Sequence, residues 1–297
     1  MEFDWNSLKH FLAVAREGRL TSAAARLATD HATVSRKIKA LEESLQASLF
    51  ERSPRGYALT AVGEELFRRA EEMESAAMRV QNEIAGERVA LSGSVRFGAP
   101  DGFGAYFFAP RMGALAERYP ELEIQLIAMP RIFSLSKREA DIAVGLSRPN
   151  EGRLVARKLT DYSLRLYGSK TYLARNATPR SIAELSGHCI IGYIPDLLFS
   201  EQLDYLGVLE EARSRRIASS NLIAQMRAAA AGAGLCILPD FMAREEPRLA
   251  PVLAEETRLL RTFWLIVHAD MQTAPRIRAV ADFIVDVVRE NRQMFLD

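Results

Sequence analysis

Apolar side chains at helical spacing predict three short helices within the first 45 residues. The first helix carries its apolar stripe in the segment 8–15 and is followed by Gly18, a suitable C-terminal cap. Thr21 is a candidate N-cap of the second helix, and Asp30 of the third. The third helix has apolar residues at spacings of four, three and four: Val34, Ile38, Leu41 and Leu45. This stripe leaves the other face of the helix open to solvent or to a partner.

That open face is small at its start and cationic further along. A helix that enters a DNA major groove needs this combination, because small residues let the backbone approach base edges while Arg and Lys reach bases or phosphates. The alternative is an ordinary surface helix whose basic residues are merely solvated. The candidate DNA contacts on this helix and on the helix before it are Ser22, His31, Ala32, Thr33, Ser35, Arg36 and Lys39.

A β-hairpin is predicted for the segment LFERSPRGYALT, residues 49–60. Pro54 and Gly56 mark its turn, and Arg52 and Arg55 lie at or beside the tip. Three helices followed by an arginine-tipped hairpin make a winged helix–turn–helix, which favours DNA binding over the plain surface helix. Arg52 and Arg55 therefore join the candidate DNA contacts.

A long helix is predicted from the N-cap Thr60 to about Ala85. About 25 residues of helix extend roughly 37 Å, long enough to hold two winged domains apart. Its apolar residues form a heptad stripe, which favours a dimer seam over packing on the chain's own core. The candidate dimerisation residues are Leu66, Ala70, Met73, Ala77, Val80 and Ile84.

From residue 91 onward the pattern changes to alternating strands and helices. Strands are predicted at 94–99, 122–128, 141–145, 164–167, 189–191, 217–219, 235–238 and 263–267. One helix is predicted to end near 119–120, and a final helix to begin at about 275. Between them, helices are predicted at 170–174, 181–185 and 221–231. Such regular alternation predicts parallel sheets covered by helices.

Composition and charge narrow the possible functions. The net charge is +1, so any affinity for nucleic acid must come from local patches. The acidic N-terminus is unlike a secretory signal and no apolar run would span a membrane, so we expect a cytoplasmic protein. Four scattered histidines predict no metal site, and no dinucleotide or P-loop motif predicts a cofactor. Cys189 and Cys236 lie in apolar runs, where buried and inert thiols are expected.

The stretch from Trp5 to about Ala85 resembles the N-terminal domain of LysR-type transcriptional regulators. One departure stands out: the family usually opens the third helix with Ser-Gln, where this chain has Asp30 and His31. His31 thus replaces a residue that often touches bases in the family. The matching residues are Leu8, Phe11, Ala15, Gly18, Ser22, Ala23, Ala24, Leu27, Val34, Ser35, Arg36, Ile38, Leu41, Glu42, Leu45, Leu49, Phe50, Arg52, Leu59, Thr60, Gly63 and Glu64.

The remaining two thirds of the chain resembles the effector-binding domain of the same family, through the looser motifs VRFGAP, ADIAVG and GAGLCILP. The resemblance implies a winged helix–turn–helix with a long linker helix, followed by a two-lobe α/β domain like a periplasmic binding protein. The expected boundaries are 1–60 for the DNA-binding domain, 61–90 for the linker and hinge, and 91–297 for the effector domain. Its first lobe would comprise about 91–161 and 268–297, and its second 162–267.

By the same resemblance, a small ligand would bind in the crevice between the lobes, where loops and helix N-termini meet. Arg131 and the helix start at Asn221 favour an organic anion, whereas Asp101 argues against one or for a ligand amine. For Asn221 the alternative is a plain helix cap. The matched positions are Asp101, Gly102, Phe103, Pro130, Arg131, Gly145, Leu146, Tyr193, Ile194, Ser220 and Asn221.

Two functions remain open at this point. The first is a ligand-responsive transcription factor that binds promoter or operator DNA as a homodimer or homotetramer, with RNA polymerase as a further partner. The second is a cytoplasmic small-molecule binding protein in which the helical part serves only association. No nucleophile–base constellation is present in the sequence, so an enzyme is not expected.

Overall fold

The computed structural model describes residues 4–54, 56–85, 91–130, 135, 139–149, 153–205 and 216–296. The chain divides into two compact units, residues 1–86 and 87–297. Each unit has its own buried core and is described by itself.

The first unit is a three-helix domain with a hairpin and a long terminal helix. Helices α1 (Trp5–Glu17), α2 (Leu20–Arg26) and α3 (His31–Leu45) precede the hairpin strands β1 (Phe50–Ser53) and β2 (Gly56–Leu59). Helix α4 (Ala61–Ala85) follows directly. The strands pair antiparallel from Phe50 opposite Leu59 to Ser53 opposite Gly56. This order is the predicted winged helix–turn–helix with its linker helix.

Two of the three caps predicted for the first three helices are found in the structure. Gly18 adopts the left-handed conformation after α1, with φ 68°, and its N–H donates to the Val14 carbonyl. The Asp30 side chain accepts from the backbone N–H of Thr33 at the start of α3. The predicted cap Thr21 is wrong, because α2 begins at Leu20, two residues earlier than such a cap requires, and Arg19 holds the N-cap position without a side-chain hydrogen bond.

The core of this unit lies between the three helices and the hairpin. Val34, Ile38 and Leu41 of α3 are buried as predicted, whereas Leu45 is exposed at the end of the helix. The buried α3 stripe fixes the rotation of that helix about its axis, so its opposite face points outward. The other large buried members of this core are Leu8, Phe11, Leu12, Val14, Leu49 and Phe50.

The second unit is built on one mixed sheet of nine described strands. Its order is β4-β3-β5-β11-β6-β9-β7-β8, with β10 paired to β6. The strands are β3 (Gly93–Ala99), β4 (Leu122–Ala128), β5 (Ile142–Gly145), β6 (Leu154–Ser169), β7 (Ile190–Gly192), β8 (Arg216–Ala218), β9 (Leu235–Pro239), β10 (Leu249–Val252) and β11 (Leu259–His268).

The prediction of purely parallel sheets is wrong for the centre of this unit. Strand β3 pairs parallel with β4 and β5, and β7 pairs parallel with β8 and β9. Between these two parallel groups, β6 and β11 pair antiparallel with each other and with their outer neighbours. The sheet therefore has two parallel ends joined by two long antiparallel strands.

Helices cover both ends of this sheet. A π-helical segment (Phe103–Phe108) and a 3₁₀ turn (Ala109–Arg111) lead into α5 (Met112–Arg118). The predicted helix at 181–185 is a 3₁₀ turn, Ala183–Gly187. The other helices are α6 (Lys170–Asn176), α7 (Leu222–Ala230), α8 (Asp240–Ala243), α9 (Pro275–Glu290) and α10 (Arg292–Leu296).

The two long strands carry the chain from one lobe to the other. Strand β6 pairs with β11 up to Leu164 and with β9 from Leu164 onward, and this change of partner lies close to the predicted first crossing at Asp161. In β11 the register shifts between Phe263 and Trp264, and Trp264 onward pairs with β5 of the first lobe. This register shift lies four residues before the predicted second crossing near His268, and both lobe boundaries remain predictions.

Candidate DNA-binding surface and effector cleft

The start of α3 is fixed by Asp30. One carboxylate oxygen accepts from the Thr33 backbone N–H at 2.7 Å, and the other from the Thr33 hydroxyl at 2.8 Å. These hydrogen bonds lower the pKa of Asp30, which is ionised at neutral pH. The Thr33 hydroxyl is thus already engaged as a donor within the cap, and only its acceptor capacity is open to a DNA base.

Four of the predicted DNA contacts lie on the exposed face of α3. His31, Ala32, Arg36 and Lys39 are exposed. Arg36 has no hydrogen-bond or ion-pair partner in the part of the chain that the structure describes, and Lys39 approaches Glu43 at 3.7 Å. Three further predicted contacts are half-buried: Ser22, Thr33 and Ser35.

The hairpin is tied to α3 by a single carboxylate. One Glu42 oxygen accepts from the backbone N–H groups of Leu49 at 2.8 Å and Phe50 at 3.3 Å, and the other accepts from Arg52 at 2.9 Å. The Arg52 guanidinium also lies over the Tyr57 ring, 5.7 Å from its centroid. Arg52 therefore supports the hairpin, and Arg55 lies outside the described residues.

A close contact between two glycines holds the hairpin against α1. The Tyr57 N–H donates to the Gly18 carbonyl at 2.9 Å. Gly56 has φ 133°, and a Cβ at this position would overlap the Gly18 carbonyl oxygen. The predicted turn at Gly56 is therefore also a packing point.

The heptad stripe of α4 divides into two parts with different surroundings. Ala70 is 1% exposed within the winged-domain core, against which Leu66 also packs. Further along, Met73 is 43% and Val80 53% exposed, and Ala77 is exposed as well. The assignment of Ala70 to an intermolecular seam is wrong, because its own domain already covers it. The Ile84 side chain lies outside the described residues.

Ion pairs anchor the first part of α4 to α1. Arg16, nearly buried, donates to Glu74 at 2.7 Å and approaches Glu71 at 3.3 Å. Its guanidinium also lies 5.9 Å from the Phe67 ring centroid. This arrangement leaves the apolar residues from Met73 onward as the open part of the stripe.

In the second unit, five of the eleven predicted pocket residues line one small cavity, and Asp101 is the most connected of them. Asp101 is 4% exposed, and its carboxylate accepts from the backbone N–H groups of Gly102 at 3.0 Å and Leu222 at 2.9 Å. The second hydrogen bond crosses from the first lobe to the start of α7. Burial raises the pKa of the Asp101 carboxyl, although both amide hydrogen bonds act in the opposite direction.

The start of α7 has its own cap. The Asn221 side chain accepts from the Ala224 N–H at 2.8 Å, which confirms the capping interpretation of Asn221. Asp101 and Asn221 together occupy amide groups that a ligand carboxylate would otherwise use. The helix start consequently gives little support to an anionic ligand, and Arg131 lies outside the described residues.

A small cavity of about 20 Å³ lies between the lobes, with room for about one water molecule. Asp101, Gly102, Phe103, Leu146 and Tyr193 line it, as predicted. The remaining described positions of the predicted wall do not: Pro130, Gly145, Ile194, Ser220 and Asn221.

Two family models match this chain, one on each unit. The one described as LysR substrate binding domain matches residues 89–289. The one described as bacterial regulatory helix-turn-helix protein, lysR family, matches residues 5–64. This chain belongs to the LysR family.

Curated relatives of this LysR-family chain are named as transcriptional regulators. HTH-type transcriptional regulator CrgA of Neisseria meningitidis serogroup C is 30% identical over 98% of this chain and 99% of its own length. HTH-type transcriptional activator TtdR of Escherichia coli K12 is 25% identical over 93% of this chain and 91% of its own length. The family is one of non-enzymes, in agreement with the expectation from the sequence.

Solved structures of the family share the fold. CrgA from Neisseria meningitidis matches with a TM-score of 0.59 at 27% identity, covering 96% of this chain and 99% of that one. A full-length OxyR variant from Pseudomonas aeruginosa, at 21% identity, shows the fold alone, with a TM-score of 0.72 over 97% and 95% of the two chains. The predicted fold class is confirmed.

Ten aromatic and apolar residues of this LysR-family chain line the cavity but were missed from the sequence. They come from separate elements that only the fold brings together, and no local spacing distinguishes them from ordinary core residues. The missed residues are Pro100, Tyr162, Phe199, Leu203, Tyr205, Leu222, Pro239, Phe241, Met242 and Phe263.

The two cysteines and the remaining titratable groups offer no second site among the described residues. Cys236 is fully buried, burial raises the pKa of its thiol, and the Sγ atom lies 3.7 Å from the Gln225 Oε1 atom. Cys189 is half-buried. In the described ranges, no group of His, Cys, Asp or Glu could hold a metal ion. None of the described helices combines the length and the hydropathy that a membrane span requires.

Proposed function

We propose that this LysR-family chain is a ligand-responsive transcriptional regulator that binds promoter DNA as an oligomer. The observation that carries the proposal is the outward face of α3. Arg36 projects from a helix whose other side is locked in the core, and Ala32 lies one turn before it. Small and cationic residues in this order fit a helix that enters the major groove.

The wing and the linker helix extend the proposal to phosphate contacts and to assembly. Arg55 at the hairpin tip would contact the DNA backbone, so Arg55→Ala should lower affinity for all sequences and flatten its salt dependence. The open stripe of α4 supports a homodimer that reads two half-sites, with a homotetramer as a further assembly. A regulator of this kind acts on the chromosome beside RNA polymerase, and we place it in the cytoplasm.

The cleft between the lobes is the proposed effector site. A ligand there would act only if it bound two arrangements of the protein with different affinity. The competing proposal, a cytoplasmic binding protein in which the helical part serves only association, lacks a reason for the free Arg36 on α3. A gel shift with DNA from upstream of the protein's own gene distinguishes the two proposals. Only a regulator would bind that DNA in preference to a scrambled duplex.

The decisive variant is Arg36→Ala in the full chain. Loss of a base contact should weaken binding to the retarded duplex by about 1–3 kcal/mol at fixed salt, with less effect on scrambled DNA. Arg118→Ala, an exposed arginine of the second unit, is the matched control and should bind as the parent does. Unchanged affinity of a folded Arg36→Ala protein would contradict the proposed contact surface.

A further inference from the structure

The cavity between the lobes is walled by aromatic rings around one carboxylate. Asp101 is the ionisable acid among the described lining residues, and no described lysine or arginine lines the cavity. Tyr162 and Phe263 stack at 4.0 Å between ring centroids, and Tyr193 and Tyr205 lie 6.1 Å apart. The aromatic lining residues are Phe103, Tyr162, Tyr193, Phe199, Tyr205, Phe241 and Phe263.

This lining favours a cation over an anion on two physical grounds. Aromatic faces carry negative electrostatic potential and attract ammonium groups, most strongly where water is excluded. Asp101 is nearly buried, and each of its oxygens accepts one backbone N–H, which leaves further lone pairs on both. A cation beside it would offset the cost of burying the carboxylate charge.

Arg261 acts electrostatically on two of the lining tyrosines but is not itself a lining residue of the cavity. Arg261 lowers the pKa of both Tyr162 and Tyr205, against the larger effect of burial. Its guanidinium nevertheless donates to the backbone carbonyls of Gln202 at 3.4 Å and Leu260 at 3.1 Å. An anionic ligand in the cavity would therefore face the Asp101 carboxylate without a described cation lining the same wall.

We propose that the effector of this cleft is an organic ammonium ion, held by the Asp101 carboxylate and the surrounding aromatic rings. The proposal rests on the proposed sensor function and names the class of its ligand. The Met242 and Leu222 side chains of the second lobe pack against Gly102 and close the cavity on that side. Entry of the ligand requires these two side chains to move away from Gly102.

The test compares probes of equal shape and different charge on the full chain. Calorimetry measures binding of tetramethylammonium, tert-butanol and pivalate, and of benzylammonium, benzyl alcohol and benzoate. At least one ammonium probe should bind about tenfold tighter than its neutral and anionic counterparts. Tighter binding of pivalate or benzoate, or no binding of either ammonium ion, would overturn the proposal.

Variants then locate the site. Asp101→Asn should weaken the bound ammonium probe about tenfold or more, whereas Asp196→Asn, an exposed acid of the second lobe, should leave it unchanged. Tyr193→Phe keeps the ring and should keep affinity, and Tyr193→Leu should reduce it several-fold. If Asp101→Asn fails to fold, the comparison of Tyr193→Phe with Tyr193→Leu tests the site instead. A folded Asp101→Asn protein that binds the ammonium probe as tightly as the parent contradicts the proposal.

Failure here is distinguishable from failure of the proposed function. Retardation of the upstream DNA is measured on the same preparations without any probe. A protein that binds the DNA but prefers anionic probes remains a regulator with a different ligand class. A protein that binds ammonium probes but not the DNA would keep this site and lose the regulatory role.

Discussion

Two features of Gly56 exclude a side chain at this position: its positive φ and its close contact with the Gly18 carbonyl oxygen. We expect Gly56→Ala to destabilise the first unit by roughly 1–3 kcal/mol, because it adds strain at positive φ and overlap with a carbonyl oxygen. Gly113→Ala is the control: its Cβ meets open space in α5, and alanine should stabilise that helix by about 0.5–1 kcal/mol. Urea unfolding of both variants measures the difference, and equal stabilities would refute the packing role of Gly56.

A second prediction at the residue scale concerns acid stability. Hydrogen bonds and charge from Arg248 lower the pKa of Glu246 from 4.5 to about 2. The stabilisation by ionised Glu246 is therefore complete above pH 4.5 and is lost as the pH falls from 4.5 to about 2. Glu246→Gln should unfold more easily than the parent at pH 6, with the gap closing toward pH 3. A gap that stays constant over this range would contradict the assignment.

At the scale of elements, α4 has one buried and one open part, and charge substitutions should separate them. Met73→Glu together with Val80→Glu places like charges on the open stripe, so we expect a folded monomer by sedimentation and loss of tight operator binding. Ala70→Glu should instead unfold the first unit. Arg68→Glu, elsewhere on the helix, is the control and should sediment as the parent. An unchanged assembly in the double variant would exclude α4 as the interface.

Elements whose signals are local could be predicted from the sequence. Gly18, Asp30, Thr60 and Asn221 each end or begin a helix through bonds within a few residues. Strand β6 was predicted only at 164–167 because its first half alternates with charged residues and is stabilised by β11, about 100 residues away. Strand β10 was missed for the same reason: it exists through pairing with β6.

At the scale of the whole second unit, variants of Gly102 and Met242 test whether the two lobes touch at the cleft. A Cβ at Gly102 would overlap the Met242 sulfur, so Gly102→Ala should destabilise this unit by roughly 1–3 kcal/mol. Met242→Ala removes the obstacle, and the double variant should lose less than the sum of the two single changes. Thermal unfolding of the four proteins completes the cycle, and strict additivity would mean that the lobes do not meet at this point.

One third of the cavity lining could be predicted, five residues of fifteen, and the division has a physical cause. Asp101, Gly102 and Phe103 come two to four residues after the end of β3, so the strand pattern in the sequence locates them. Tyr162 and Phe263 lie in the middle of the crossing strands, and their role depends on two strands pairing over a long sequence separation. Strand pairing in the folded protein therefore determines which aromatic rings face the cavity, and no local sequence pattern predicts them.

The continuous pairing of β6 with β11 and β9 also bears on how the second unit unfolds. Apart from the register shift between Phe263 and Trp264, β6 is paired along its whole length with β11 or β9, so neither predicted lobe can lose its sheet without disrupting the ladder of the other. The two lobes should therefore melt in one cooperative step, with the amides around residues 160–166 exchanging their protons slowest of all. A domain of two lobes would then behave in calorimetry and hydrogen exchange as a single unit.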